Sequence, residues 1–271
     1  MKFHFEHNAT PKHVAALLAL FGPEKALNKE EIQDRLKANG HRISDDYVRR
    51  NLIMLVDIGS LRKVGASFEL SKLGDRLARL LQFRPNVFFD LLHYLYYATW
   101  DQNPSEQVAF SWTYQNICDI LWASRPSKID GNAVANEIYR RIEREFSQAQ
   151  KPSISHWAVH GVCNWLATLH PPFMKPDSKN HSSEGRRTCS PELILLAIDY
   201  LYRKNGIPYD TTLLLDEPKI AAITAFCLLH PASFEPMLET TLNSFSVLKC
   251  QSTLWGRSLL LPQQVSILTV S

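Results

Sequence analysis

From Ser44 to Ile58, apolar residues return every three or four positions. Val48, Leu52, Leu55 and Val56 form one stripe, with Ile58 at its edge. The opposite face carries Asp46, Arg49, Arg50, Ile53 and Asp57. This spacing predicts an amphipathic helix. Ser44 is a good N-cap, Asp45 and Asp46 occupy a first turn where the helix dipole favours negative charge, and Gly59 stops the helix. The segments LRKV and SFEL then read as two short strands around Gly65-Ala66, a hairpin signal. Upstream, Thr10-Pro11 opens a first helix with Val14, Leu17, Leu18 and Phe21 along one side. Asn28 caps a second, Lys29 to Ala38, whose inward residues are Ile32 and Leu36. Asn39-Gly40 separates it from the third. Met1 to Asn8 reads as a short edge strand or an arm. Ser71 caps a further helix that Arg84-Pro85 ends.

The pattern then changes. Asn86 to Asp101 is apolar nearly all round, so that helix is expected between layers of the protein or against a partner. Phe88, Phe89, Tyr94, Tyr96, Tyr97 and Trp100 would be its docking side chains. A displacement of 111 residues lays Ser44 on Ser155, Val48 on Val159, Leu52 on Cys163, Leu55 on Leu166 and Ile58 on Leu169. Glu31-Ile32 and Arg35-Leu36 have counterparts in Glu137-Ile138 and Arg141-Ile142, and the flanking elements follow in the same order. We read this as an internal duplication. From Ser190 onward come three more helical patterns, the second capped by Asp216 with Pro218 in its first turn. Two strand-like runs follow around Leu254-Trp255-Gly256. This is a candidate third, degenerate copy. Its third helix has no basic residue, so a packing or dimerisation module is expected there rather than a nucleic-acid reader.

The order helix, helix, capped helix, β-hairpin resembles the winged-helix form of the helix-turn-helix DNA-binding superfamily. The resemblance implies a mainly α fold with two tandem winged-helix-like units and a helical C-terminal region that ends in a β-hairpin. The expected divisions are a first unit over 1–83, a buried connecting helix and linker over 84–109, a second unit with a long wing over 110–204, and a C-terminal module over 205–271. In such proteins the third helix lies in the major groove and the wing touches backbone or minor groove. Carried onto this sequence, Arg49, Arg50 and Ile53 face the groove, flanked by His41 and Arg42. Arg62, Lys63 and Ser67 stand on the wing, and Lys72 and Arg76 follow it. Arginine can read guanine or grip phosphate, whereas a wing lysine more naturally meets phosphate. In the second unit the outward face would be Trp157, His160, Gly161, Asn164 and Thr168, with Asn164 placed to read adenine. Its long wing offers Lys175, Lys179, Arg186 and Arg187 to phosphate. The assignment requires Arg49 and Arg50 to stand out from the surface. Internal ion pairs that hold both guanidiniums, or burial of their helix, would remove its basis.

Composition narrows the class without choosing within it. Of the 271 residues, 45% are hydrophobic and 21% charged, the balance of a water-soluble globular protein. No apolar run reaches membrane-spanning length and no signal-peptide core opens the chain, so neither a membrane partner nor export is expected. Five scattered cysteines without a CxxC pair suit a reducing cytoplasm. A net charge of +3 means that any basic footprint must come from local clustering. His156, His160 and Cys163 have metal-ligand spacing on one helical face, but Cys163 falls on a core position of the repeat, so no metal is expected. No phosphate-binding loop, dinucleotide fingerprint, nucleophile elbow or zinc-protease motif occurs, and no cofactor is implied. The resemblance therefore implies a non-catalytic binder of double-stranded DNA, a regulator or recognition subunit of a prokaryotic system. Two rivals stand beside it. Tandem winged helices in a chain of this length resemble plasmid replication initiators. The aromatic helix or the C-terminal module, bound to a protein or to a second copy, would instead make a scaffold in a multiprotein assembly such as an anti-phage defence complex.

Overall fold

The computed structural model describes residues 3, 10–22, 25–125, 128–146, 154–176, 181–183, 185–254 and 256–270. The fold is mainly helical, and the predicted caps set its helix starts. The Thr10 side chain accepts from the His13 N–H to open α1 (Pro11–Leu18). After the two-residue strand β1 (Leu27–Asn28), Asn28 and Glu31 form a capping box that opens α2 (Lys29–Ala38). Ser44 accepts from the Tyr47 N–H at the start of α3 (Asp45–Asp57). The hairpin β2 (Leu61–Val64) and β3 (Ser67–Leu70) is antiparallel, turned by Gly65 at φ 61°. β1, too short to carry any period, adds to its far edge in the sheet order β1-β3-β2. Ser71 then caps α4 (Lys72–Phe83) by accepting from the Gly74 N–H, while its hydroxyl donates to the Gly59 carbonyl at 2.6 Å. One serine thus ties both ends of the hairpin together.

The helix α5 (Pro85–Gln102) is the spine. It packs on α4, on α6 (Ala109–Ser124) and, beyond α7 (Gly131–Glu145), α8 (His156–Leu166) and the hairpin β4 (Met174–Pro176) and β5 (His181–Ser183), on α9 (Pro191–Lys204). Its Phe88 and Tyr96 are sealed, and Tyr94, Tyr97 and Trp100 are nearly so. This settles the two expectations for the aromatic helix. It is buried between layers of its own chain; Phe88, Tyr94, Tyr96, Tyr97 and Trp100 are spent on internal packing, and Phe89 is half-buried. The polar groups on this helix are satisfied from within. His93 donates from Nε2 to the Phe226 carbonyl at 2.7 Å and accepts at Nδ1 from the Tyr114 hydroxyl at 2.8 Å. Burial pushes its pKa down to about 4, so the ring is neutral. Of the N-terminal arm, Phe3 is sealed against Trp100, Trp112 and Phe146; the rest of Met1 to Asn8 lies outside the described residues.

After α9 come β6 (Thr212–Leu214), α10 (Glu217–Phe226), a 3-10 turn (Pro231–Ser233), α11 (Phe234–Ser244) and the hairpin β7 (Lys249–Thr253) and β8 (Gly256–Leu260). Asp216 caps α10, as expected. The strand order β6-β8-β7 matches β1-β3-β2, so the sequence helix–strand–helix–helix–strand–strand occurs at both ends of the chain. Between them, α6, α7 and α8 lead into the two-stranded β4–β5 hairpin. The run after Trp255 is not one long strand. It stops at Leu260, ahead of Pro262, and ends in the short helix α12 (Ile267–Val270). One continuous core runs from Phe3 to Val270 through all three regions. Among the described residues no helix is long and apolar enough to cross a membrane.

Candidate nucleic-acid interface

The inner face of α3 is anchored by Val48, Leu52 and Leu55, all buried, and the helix packs on α1, α2 and β2. That burial turns Arg49, Arg50 and Ile53 outward, and Ile53 is 47% exposed. Arg49 and Arg50 are drawn together by one carboxylate. Asp46 Oδ1 lies 2.9 Å from Arg49 Nη2, and Asp46 Oδ2 lies 2.7 Å from Arg50 Nε. The hydrogen bond from Arg49, with Arg50 beside it, holds the Asp46 carboxyl below the usual carboxylate range. Both guanidiniums are therefore held in ion pairs on their own helix, the condition under which Arg49 and Arg50 cease to be the basis of the DNA assignment. Neither is buried, with side-chain exposures of 56% and 32%.

On the hairpin, Arg62 and Glu69 are cross-strand partners whose side chains pair at 2.9 Å. Lys63 is exposed on the same strand, Arg42 is exposed just ahead of α3, and Lys72 is exposed at the first position of α4. Arg42, Lys63 and Lys72 have no carboxylate partner among the described residues. Sequence reasoning singled out all six cations here but did not separate the paired from the unpaired. The i, i+3 and i, i+4 spacing of Asp46 to Arg49 and Arg50 carried that information.

The second set disperses. Asn164 is exposed on α8 and Trp157 is 59% exposed, but Gly161, expected outward, is buried. The rings of His156, Trp157 and His160 cluster on that face, with His156 and Trp157 centroids 4.6 Å apart. Lys175 lies on β4 opposite Ser182, Arg187 is exposed, and Lys179 lies outside the described residues.

Arg186 corrects the expectation outright. It is 1% exposed, and its guanidinium contacts four acceptors: Asp90 Oδ1 at 2.7 Å and the carbonyls of Pro171, His170 and Cys227. It is a buried structural cation, unavailable to phosphate. The reason is local. Its backbone is zipped to the end of α10, donating to the Leu228 carbonyl at 2.9 Å and accepting from the His230 N–H at 2.8 Å.

At the C-terminal end, the exposed face of α11 holds Glu235 and Glu239, both gripped by Arg257 of β8. That face is acidic, in line with the absence of basic residues noted in the sequence. The Cys163 thiol is sealed in the core, and burial pushes its pKa up to about 12. Compared with protein-family models, with curated proteins and with solved structures, the chain matches none of them.

Proposed function

We propose that the chain is a non-catalytic, double-stranded DNA-binding protein of the winged-helix class, with its contact surface on the first unit. Two features support the fold side of this reading. The α1-β1-α2-α3-β2-β3 order with β1 against β3 is the arrangement a winged helix requires, and α3 presents one face away from its core. The observation that carries the function is the set of exposed cations on the first unit, Arg42, Lys63 and Lys72, which have no carboxylate partner among the described residues.

The Asp46 bridge changes how the surface works. One carboxylate answers only half the charge of two guanidiniums, and an ion pair this open to water is weak and screened. Arg49 and Arg50 therefore still add positive potential, but the case rests on phosphate contact by Arg42, Lys63 and Lys72 of the same unit rather than on base reading by these arginines. Binding of this kind is steeply salt-dependent and weakly selective for sequence. A regulator that needs strong selectivity would draw it from Ile53 and from arginines released by Asp46.

The test is a titration of duplex DNA against salt, read by fluorescence anisotropy. Replacing Arg42, Lys63 and Lys72 together by Ala should weaken binding many-fold and lower the slope of log affinity against log salt by about 2–3. Affinity indifferent to salt and to the triple variant, in a protein whose circular dichroism is unchanged, would overturn the reading. A second reading rests on Trp157. A tryptophan this exposed on a helix face is typical of a protein contact, and it favours a scaffold whose partner sits on α8. Loss of a co-purifying protein on Trp157→Ala, with no duplex binding by the parent, would favour that alternative.

A further inference from the structure

Residues of α5, α6, α7 and α9 line a cavity of about 460 Å³, open to solvent and within the size range of small-molecule sites. Part of its wall is apolar. Trp100, Trp112 and Phe146 line it, and the Phe146 ring packs edge to face on both indoles, with centroids 5.9 Å and 5.5 Å apart. The rest is polar, and its donors and acceptors are out of balance. Trp112 Nε1 already donates to Glu145 Oε2 at 3.2 Å, and Asn116 Nδ2 to the Trp112 carbonyl at 2.9 Å. Gln115 Nε2 donates to Asp101 Oδ2 at 3.1 Å and to the Tyr200 hydroxyl at 2.8 Å. Asp119 Oδ1 accepts from the Tyr97 hydroxyl at 2.5 Å. Asp119 Oδ2, Glu145 Oε1 and Gln115 Oε1, by contrast, have no donor among the described residues, and all three side chains line the cavity. Gln115 is only 6% exposed, yet its free Oε1 is not sealed off, and the cavity is where it opens.

Charge is unbalanced in the same sense. Lys204 answers Asp101, 3.7 Å away, and donates to the Tyr200 hydroxyl at 2.8 Å. Neither Asp119 nor Glu145 meets a cation at ion-pair distance among the described residues. Burial pushes the Asp119 carboxyl above its usual range, and the Tyr97 hydroxyl, Lys204 and Arg141 offset that only in part. A metal ion does not suit the arrangement, because no three carboxylate, histidine or cysteine side chains among the described residues converge as one would need. Gln115 and Asp119 stand one turn apart on α6, whereas Glu145 ends α7, so the free acceptors belong to two separate elements. We propose that the cavity binds an aliphatic polyamine. One ammonium group donates to Asp119 Oδ2 and the Gln115 carbonyl, a second donates to Glu145, and the methylenes lie along Trp100, Trp112 and Phe146. An ammonium group brings three donors and no acceptor, which is what the lining lacks, and its alkyl stem is compatible with an aromatic wall.

The probe is spermidine, titrated calorimetrically into the folded, full-length protein at low salt. One saturable site per chain is expected. Butylamine, with a single ammonium group like a lysine side chain, should bind about tenfold more weakly or worse, since it reaches one anchor only. Glu145→Gln keeps an acceptor for Trp112 Nε1 and should weaken spermidine about five- to tenfold. Asp119→Asn keeps an acceptor for the Tyr97 hydroxyl and should do the same. Glu235→Gln, on α11 and outside the cavity, controls for loose attraction to surface carboxylates and should leave the affinity unchanged. The proposal is overturned by an absence of saturable binding or by equal affinity for butylamine. It is overturned equally by a Glu145→Gln variant that binds as the parent does, or by a loss as large in Glu235→Gln. Should Asp119→Asn misfold, Glu145→Gln decides the matter, because that side chain is exposed. Duplex binding by the first unit is measured separately, so either idea can fail without the other.

Discussion

Arg186 and Asp90 form an ion pair sealed inside the protein, Nη2 to Oδ1 at 2.7 Å, with side-chain exposures of 0% and 1%. The pair joins the exit of the second hairpin to the spine helix. Asp90 also accepts from the Ser190 N–H, so one carboxylate holds the spine, the hairpin exit and the start of α9. Two charges taken this far from water are tolerable because each of the three guanidinium nitrogens meets an acceptor. Removing one partner strands the other. Arg186→Met should destabilise the fold by about 3–5 kcal/mol, measured by urea unfolding, with any loss of DNA binding tracking unfolding. A stable, fully folded Arg186→Met that binds duplex less tightly would return Arg186 to the interface.

The error at Arg186 shows where sequence reading loses its grip. A basic residue in a stretch rich in Pro, Ser and Gly is usually solvated, and only the three-dimensional return of α10 buries this one. The helix starts were legible because caps are local chemistry: Thr10, Asn28, Ser44, Ser71 and Asp216 each bond within three residues. The hairpin strands of the first unit were legible for the same reason. β1 and β6 were not, since strands of two and three residues have no period to detect and exist only through their partners. The spine helix was recognisable as buried, but whether its own chain or another protein covers it depends on long-range packing. At the interface the cations were readable, and so in principle was Asp46, three and four residues ahead of the arginines it holds.

That carboxylate gives the proposed function its sharpest handle. Arg49 and Arg50 hold the Asp46 carboxyl below its usual range, so at every physiological pH it stands on the candidate surface as a negative charge. Asp46→Asn removes the charge that repels phosphate and releases two guanidiniums at once. Duplex affinity should rise several-fold at low salt, and the salt slope should steepen by about 1–2. Unchanged or weaker binding would mean that Asp46 aims the arginines rather than restrains them.

Gly74 tests the junction between hairpin and α4. A Cβ on this residue would lie 1.9 Å from the Ser60 carbonyl oxygen and 3.0 Å from Leu70 Cδ2. The same Ser60 carbonyl accepts from the Ser71 N–H at 3.1 Å, so backbone would have to move and take the Ser71 cap with it. Gly74→Ala should destabilise the protein by about 2–3 kcal/mol, despite the higher helix propensity of alanine. Gly22, with nothing within 4 Å of its added Cβ, is the control; Gly22→Ala should change stability by about 0.5 kcal/mol at most. Similar unfolding midpoints for the two variants would show that the turn yields.

His93 sets an acid limit on the fold. Its ring is neutral, wedged between the Tyr114 hydroxyl and the Phe226 carbonyl, and burial lowers its pKa from 6.5 to about 4. The unfolded chain therefore holds an extra proton between those two values. Stability is at its full value above pH 6.5, falls as the pH drops through this window, and levels off below about 4. The His93 share of the loss is about 3 kcal/mol. Other groups titrate in the same range, so the measurement needs a non-titrating counterpart. Glutamine can donate to the Phe226 carbonyl and accept from Tyr114 without taking up a proton. Unfolding free energies at pH 7 and pH 4.5 should converge for the parent and His93→Gln at the lower pH, the parent having lost about 2–3 kcal/mol more. Equal losses in the two proteins would mean that the buried imidazole carries no part of the acid sensitivity.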